Sequence, residues 1–169
     1  LGVYIGTIVL LNIPNIQQAM SVFVAEELSE VLNTKVVIGR INMGLLNRII
    51  IDDVLLDDQS GQEMLKVTRL SAKFDIMPFF KGKISISSVQ LFGFNINLRK
   101  ETPDSPPNFK FVLDAFASKD TVKKENSLDL RINSILIRRG RMSYHVLSEE
   151  ETPGKFNAKH IQLQNIIAN

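Results

Sequence analysis

Ile84-Ser85-Ile86-Ser87-Ser88-Val89-Gln90-Leu91-Phe92-Gly93-Phe94-Asn95-Ile96-Asn97-Leu98 decides the fold. Apolar and polar residues alternate along it, the period-two signature of a strand with one apolar face. A second stretch echoes the first: Leu130-Arg131-Ile132-Asn133-Ser134-Ile135-Leu136-Ile137-Arg138-Arg139-Gly140-Arg141-Met142-Ser143-Tyr144. Each copy reads as a strand, a tight turn near a glycine and a return strand. Val89 and Ile135 stand 46 residues apart, a spacing at which repeat architectures occur. The doubled spacers Ser87-Ser88 and Asn133-Ser134 shift the phase of alternation, as a β-bulge does, and bulges bend a sheet. A repeatedly bent meander curls into a trough.

The same period governs most of the chain beyond Asn33. Lys35 to Asn42, Arg48 to Leu56, Met64 to Phe74, Ile84 to Leu91, Phe94 to Arg99, Leu128 to Ile137, Arg141 to Val146 and Phe156 to Gln164 all read as strands rich in Ile, Val, Leu and Phe. Asp57-Asp58-Gln59-Ser60-Gly61, Phe92-Gly93 and Arg139-Gly140 carry turn chemistry between them. Short strands with short connections predict an antiparallel meander rather than a parallel sheet with helical crossovers. Two interruptions stand out. Ile76-Met77-Pro78-Phe79-Phe80 reads as a compact apolar loop, since proline is excluded from central strands. Thr102 to Asn108 reads as a surface connection, and Phe109 to Phe116 as a short helix with Phe109, Val112, Leu113 and Phe116 on one side. Ser118 to Ser127 has a disorder-prone composition.

Upstream of the strands the pattern is helical. From Asn15 to Asn33, Ile16, Met20, Phe23, Val24, Leu28 and Val31 recur at three- and four-residue steps opposite Gln18, Ser21, Ala25, Ser29 and Asn33. The expected sticky face is the apolar set, with Glu27 intruding on it and Asn33 as the end signal. Before this helix, Leu1 to Leu11 carries no charge, and Val3, Tyr4, Ile5, Ile8, Val9, Leu10 and Leu11 point in every direction around a helix. The run reads as the end of a membrane helix, of which Leu1 to Ile13 would cross about 20 Å of a core about 30 Å thick. A buried core helix fits its length, and a secretory signal peptide is a rival without its small-residue cleavage pattern. No Lys or Arg follows until Lys35, while Glu26, Glu27 and Glu30 come first, which places the body on the non-cytoplasmic side. The expected organisation is the end of a transmembrane helix over 1–13, an amphipathic helix over 14–33 and the start of a β-groove over 34–169.

Composition narrows the chemistry. The chain has 169 residues, a formal net charge of +2 with no basic stripe, no cysteine, and two histidines, His145 and His160. Nucleic acid is therefore an unexpected partner, and a Cys/His zinc site of three or four ligands cannot be assembled. Asp52, Asp53, Asp57 and Asp58 lack the alternating oxygen ligands of a calcium loop and read as a solvated hairpin tip. Glu149 to Glu151 read as a solvated loop, and Arg138-Arg139-Gly140-Arg141 as a turn whose charges face water. His145 and His160 have no recognisable Ser, Cys or Asp partner pattern, and no nucleophile elbow, phosphate loop or dinucleotide fingerprint occurs. No enzyme, catalytic residue, metal or cofactor is expected. What remains is apolar surface: Ile86, Val89, Leu91, Ile96, Leu130, Ile132, Ile135, Ile137, Met142 and Tyr144 line one strand face, with two short helices to cover it.

A family resemblance rests on Ile13-Pro14-Asn15-Ile16-Gln17, Leu28 to Leu32, Thr34-Lys35-Val36-Val37-Ile38-Gly39, Ile51 to Asp58, Lys83 to Ile86 with Val89-Gln90-Leu91, and Asn108 to Phe116. The chain resembles the N-terminal region of the TamB family (translocation and assembly module) in its Bacteroidetes-like form, within the AsmA-like, bridge-like lipid transfer group. The resemblance implies a mainly β fold: an N-terminal membrane helix and an amphipathic helix, then a curved antiparallel β-meander forming an open apolar groove, the β-taco. It implies a single-pass inner-membrane anchor, through Tyr4, Ile5, Ile8, Val9, Leu10 and Leu11, and a periplasmic body. The implied partners are membrane phospholipids and an Omp85-type outer-membrane barrel, the latter reached by a C-terminal region. Two functions follow as expectations. One is a conduit carrying phospholipid between inner and outer membranes along the apolar face; the other is a scaffold for outer-membrane protein assembly that templates a client strand at a sheet edge.

Overall fold

The computed structural model describes residues 13–44, 47–74, 84–117, 128–129 and 133–168, together with Gly2 and Gly6. The chain is mainly β. After helix α1 (Pro14–Leu32) come β1 (Val36–Gly44), β2 (Arg48–Asp57), β3 (Glu63–Phe74), β4 (Ile84–Lys100), helix α2 (Lys110–Ala117), the two-residue β5 (Leu128–Asp129), β6 (Ser134–Val146) and β7 (His160–Ala168). Among the described residues six strands pair in the order β1-β2-β3-β4-β6-β7, and the sheet they form does not close. β5 pairs with the start of β4.

The antiparallel meander holds from β1 to β4 and again between β6 and β7. It fails in the middle: β4 and β6 run parallel, so the sheet is mixed. A parallel neighbour needs a crossover long enough to return the chain to the same end of the sheet. Residues 101–133, which include α2, supply that length.

The two expected hairpins are also absent. Phe92-Gly93 and Arg139-Gly140 lie inside single continuous strands, β4 and β6. Both sites do contain a left-handed residue, with φ of 65° at Gly93 and 55° at Arg139. A residue of positive φ can turn a chain or merely kink a strand, and here the cross-strand ladder resumes on either side of it. Gly93 and Arg139 fall in one transverse row with Gly39, Asp53 and Thr68, and Asp53 is left-handed too at φ 56°. Nearby in β7, Asn165 has φ 55° beside a register shift. A crease therefore crosses the sheet.

The crease explains how odd- and even-numbered apolar residues share a face. Val36 and Ile38 precede it in β1 and Ile41 follows it, yet all three belong to one buried cluster with Leu32, Leu56 and Met64. The alternation slips by one position at the crease so that the same side stays apolar. Ser87 supplies the second phase shift: Lys73 pairs with Ser88 and Phe74 with Ile86, which leaves Ser87 as the extra residue of a bulge, where the doubled spacer places one.

Helix α1 starts at Pro14, whose missing N–H is an orphan position in the first turn. It ends at Asn33 in the left-handed conformation, whose N–H donates to the Glu30 carbonyl oxygen at 3.2 Å. Its packed side matches the expected one in part: Met20, Val24 and Leu28 pack as expected, and Phe23 and Val31 do not. Gln17, Ser21 and Leu32 are buried, with Met20, Val24, Ala25 and Leu28 packed against the cluster, while Phe23 is 63% exposed and Val31 is exposed as well. Small residues face the sheet because they allow close approach: Ser21, 2% exposed, donates from Oγ to the Gln17 carbonyl oxygen at 2.8 Å. Ser29 Oγ donates to the Ala25 carbonyl oxygen at 2.7 Å and accepts the Val36 N–H at 3.0 Å, joining helix to strand. Among the described residues no helix is long and apolar enough to cross a membrane. The expected anchor residues Tyr4, Ile5, Ile8, Val9, Leu10 and Leu11 lie outside the described residues.

Candidate functional site

Residues directly opposite across a ladder share a face, so the register converts sequence positions into a surface. One transverse row reads Val36, Leu56, Leu65, Ile96, Met142, Leu163, apolar across six strands. Across the crease a second row reads Ile41, Ile51, Leu70, Leu91, Ile137, Ala168, and a third Met43, Ile49, Ala72, Val89, Ile135. Between them lie Ile38, Val54, Val67 and Phe94. The Phe94 ring rests where a Cβ on Gly140 would stand, 2.2 Å from its nearest carbon. The reverse face is mixed: Arg40, Asp52, Arg69, Phe92 and Arg138 form one of its rows, with Arg69 Nε donating to Asp52 Oδ1 at 2.6 Å, while Val37 and Leu55 on one side of it and Ile50 and Leu136 on the other stand among polar neighbours.

Eight of the ten expected groove residues can be placed. Val89 pairs with Ile135, Leu91 with Ile137 and Ile96 with Met142; Tyr144 stands between Leu98 and Ile161, and Ile86 lies opposite Phe74. Leu130 and Ile132 lie outside the described residues. Helices α1 and α2 cover the β1–β3 end of the apolar face: Met20, Val24 and Leu28 of α1 and Phe111, Val112 and Ala115 of α2 pack on the buried cluster. The rows continue past them. Ile135 is 46% exposed and Leu163 45% exposed, so apolar surface reaches solvent at the β6–β7 end.

A polar lock fixes the helices over the covered end. Asp58 is buried rather than solvated, and its carboxylate takes an ion pair from Arg99, the Ser60 Oγ–H at 2.7 Å, the Ser60 and Gln62 N–H groups at 2.9 and 3.2 Å, and Asn108 Nδ2 at 3.1 Å. Burial pushes this carboxyl up, but the hydrogen bonds from Ser60, Asn108 and the Gln62 and Ser60 backbone outweigh it and hold it at about 2, below the usual 3.8. Asn108 also bonds the Asn97 carbonyl oxygen and the Arg99 N–H, which fastens the segment leading into α2 to β4. Gln59 Nε2 caps the Leu32 carbonyl oxygen at 2.9 Å, tying the same turn to the end of α1. Sequence reading missed this lock because Arg99 lies 41 residues beyond Asp58. The Arg138, Arg139 and Arg141 side chains do face water, with the Arg139 guanidinium 5.2 Å from the Phe92 ring centre.

His145 and His160 form a second cluster that the sequence did not disclose. They sit directly opposite each other in β6 and β7, with Nδ1 atoms 3.1 Å apart and Glu151 beside them. Both strands were legible, but their register depends on the path of 147–159, which spacing alone does not give.

No protein-family model matches this chain, and no curated protein or solved structure matches it.

Proposed function

We propose that the apolar rows carry phospholipid acyl chains, and that the chain is the N-terminal part of an AsmA-like bridge protein of the TamB type. In this reading residues 1–13 anchor it in the inner membrane, the sheet stands in the periplasm, and lipid passes to the outer membrane at an Omp85-type barrel. The observation that carries the reading is the continuity of apolar residues across the strands, ending in the exposed Ile135 and Leu163. Each methylene withdrawn from water contributes about 0.8 kcal/mol, so an acyl chain needs length and continuity of apolar surface rather than a catalytic group. On the reverse face the charged row of Arg40, Asp52, Arg69 and Arg138 interrupts the apolar residues and keeps that part of the sheet wet.

The rival reading, a scaffold for outer-membrane protein assembly, draws on the position of β7 at the end of the strand order among the described residues. An edge strand can accept a client strand through its free backbone groups. The two readings separate cleanly. Mass spectrometry of the purified chain should find bound phospholipid, diminished by Ile135→Lys and Ile96→Lys. A lipid-free protein whose transport survives both substitutions, but fails with Gln162→Pro in β7, would support the scaffold instead.

A further inference from the structure

We infer that His145, His160 and Glu151 form a binding site for a divalent transition-metal ion of the zinc type. His145 is the penultimate residue of β6 and His160 opens β7, and the pair closes the base of the loop 147–159. Their ring Nδ1 atoms face each other at 3.1 Å, and Glu151 Oε1 lies 3.6 Å from one and 3.9 Å from the other. Two imidazole nitrogens bound at about 2.0–2.1 Å to a tetrahedral ion stand roughly 3.3 Å apart, so the observed separation already matches shared coordination. The carboxylate needs only a shift of a few tenths of an ångström to join them. At 66% exposure, Glu151 is free to make it.

The hydrogen bonding around His160 provides a second, independent argument. Its Nε2 lies 2.9 Å from the Glu149 carbonyl oxygen, which can only accept. Nε2 therefore carries the proton, and in the neutral ring Nδ1 is a bare lone pair aimed at His145. A metal-binding histidine is held in this way, its second nitrogen donating to a backbone carbonyl that fixes the tautomer and the ring plane. Without metal, His145 Nδ1 must donate across the 3.1 Å gap; with metal, it gives up that proton by moving to its Nε2 tautomer. Two imidazoles and one carboxylate suit zinc, cobalt, nickel or copper ions and disfavour magnesium and calcium, which take all-oxygen sets. The ion would clip β6 to β7 at the open end of the sheet, and the exposed position of Glu151 leaves room for water at the remaining coordination position.

Isothermal titration of the untagged chain with zinc chloride alone tests the site. The expected result is one ion per chain, with binding weakened at least about tenfold by His145→Gln and by Glu151→Gln. Circular dichroism checks that the variants fold, and Glu151, 66% exposed, is the ligand whose substitution should disturb the fold least. Nitrogen-15 imidazole spectra should show both Nδ1 atoms shifting on zinc addition. Absence of saturable binding, or binding that both substitutions and both Nδ1 resonances ignore, would overturn the site.

Discussion

Val89 lies directly opposite Ile135 in the parallel pairing of β4 with β6, and the same offset of 46 residues holds for every pair from Ser88 with Ser134 to Lys100 with Val146. The internal echo in the sequence is thus a register. Two stretches with the same apolar pattern lie side by side, in phase, and their crease residues Gly93 and Arg139 fall into line. Matching sequence patterns produce matching kinks, and the apolar side of one strand continues into the next.

Gly140 should tolerate no side chain. A Cβ there would stand 2.2 Å from Phe94 Cζ, and the ring is buried between neighbouring strands. Gly140→Ala should lower unfolding stability by about 1–3 kcal/mol, as overpacking does, and Phe94→Leu in the same chain should recover part of it. Urea denaturation of the three variants checks this; additive losses would mean that the ring and the glycine do not meet.

The packed side of α1 can be read from two substitutions. Ser21 is buried against its neighbours, so Ser21→Leu should cost about 1–3 kcal/mol. Phe23 is largely exposed, so Phe23→Ser should stay within about 0.5 kcal/mol of the parent. The reverse order of effects in thermal melts would put Phe23 on the packed side of the helix and Ser21 off it.

Asp58 sets an acid limit on stability. Its carboxyl titrates at about 2 in the folded chain and near 3.8 when unfolded, so its stabilisation is complete above about pH 4 and fades as pH falls through 2. The loss amounts to about 2 kcal/mol. Asp58→Asn should remove that part of the pH dependence and, by leaving Arg99 without its partner, destabilise the fold at neutral pH by about 3 kcal/mol. Denaturation midpoints between pH 2 and 7 measure both effects, and parallel curves for the two proteins would exclude Asp58 as the group responsible.

The crease gives a further handle at Gly93. Alanine there would have to hold φ near 65° and stand 2.7 Å from Thr68 Oγ1. Gly93→Ala should therefore destabilise by about 1–2 kcal/mol, and Arg139→Gly, which relaxes the same conformation on the neighbouring strand, should lose less or nothing. Equal losses in a chemical denaturation series would show that the left-handed backbone is not what matters at these positions.

Alternation made the strands visible, and the echo between Ile84–Leu98 and Leu130–Tyr144 carried the pairing of β4 with β6 in its spacing. Other features were hidden for physical reasons. Gly93 and Arg139-Gly140 announce positive φ, but a turn and a kink need the same local backbone, and only the neighbouring strands decide between them. Periodicity correctly picked Met20, Val24 and Leu28 of α1 but not the small Ser21, Ala25 and Ser29 that pack beside them, whose value lies in small size. Asp58 with Arg99, and His145 with His160, are joined by the fold across long stretches of chain, and no local pattern encodes them.

The central claim is that the apolar rows, and not the reverse face, hold acyl chains. A photo-crosslinking amino acid placed at Ile135 and, separately, at neighbouring-strand residue Leu163 samples those rows; the same probe at Arg138 samples the charged row of the reverse face. After irradiation in cells, mass spectrometry should find phospholipid joined to the chain at Ile135 and Leu163 and none at Arg138. Equal labelling on both faces, or labelling at Arg138 alone, would contradict the account.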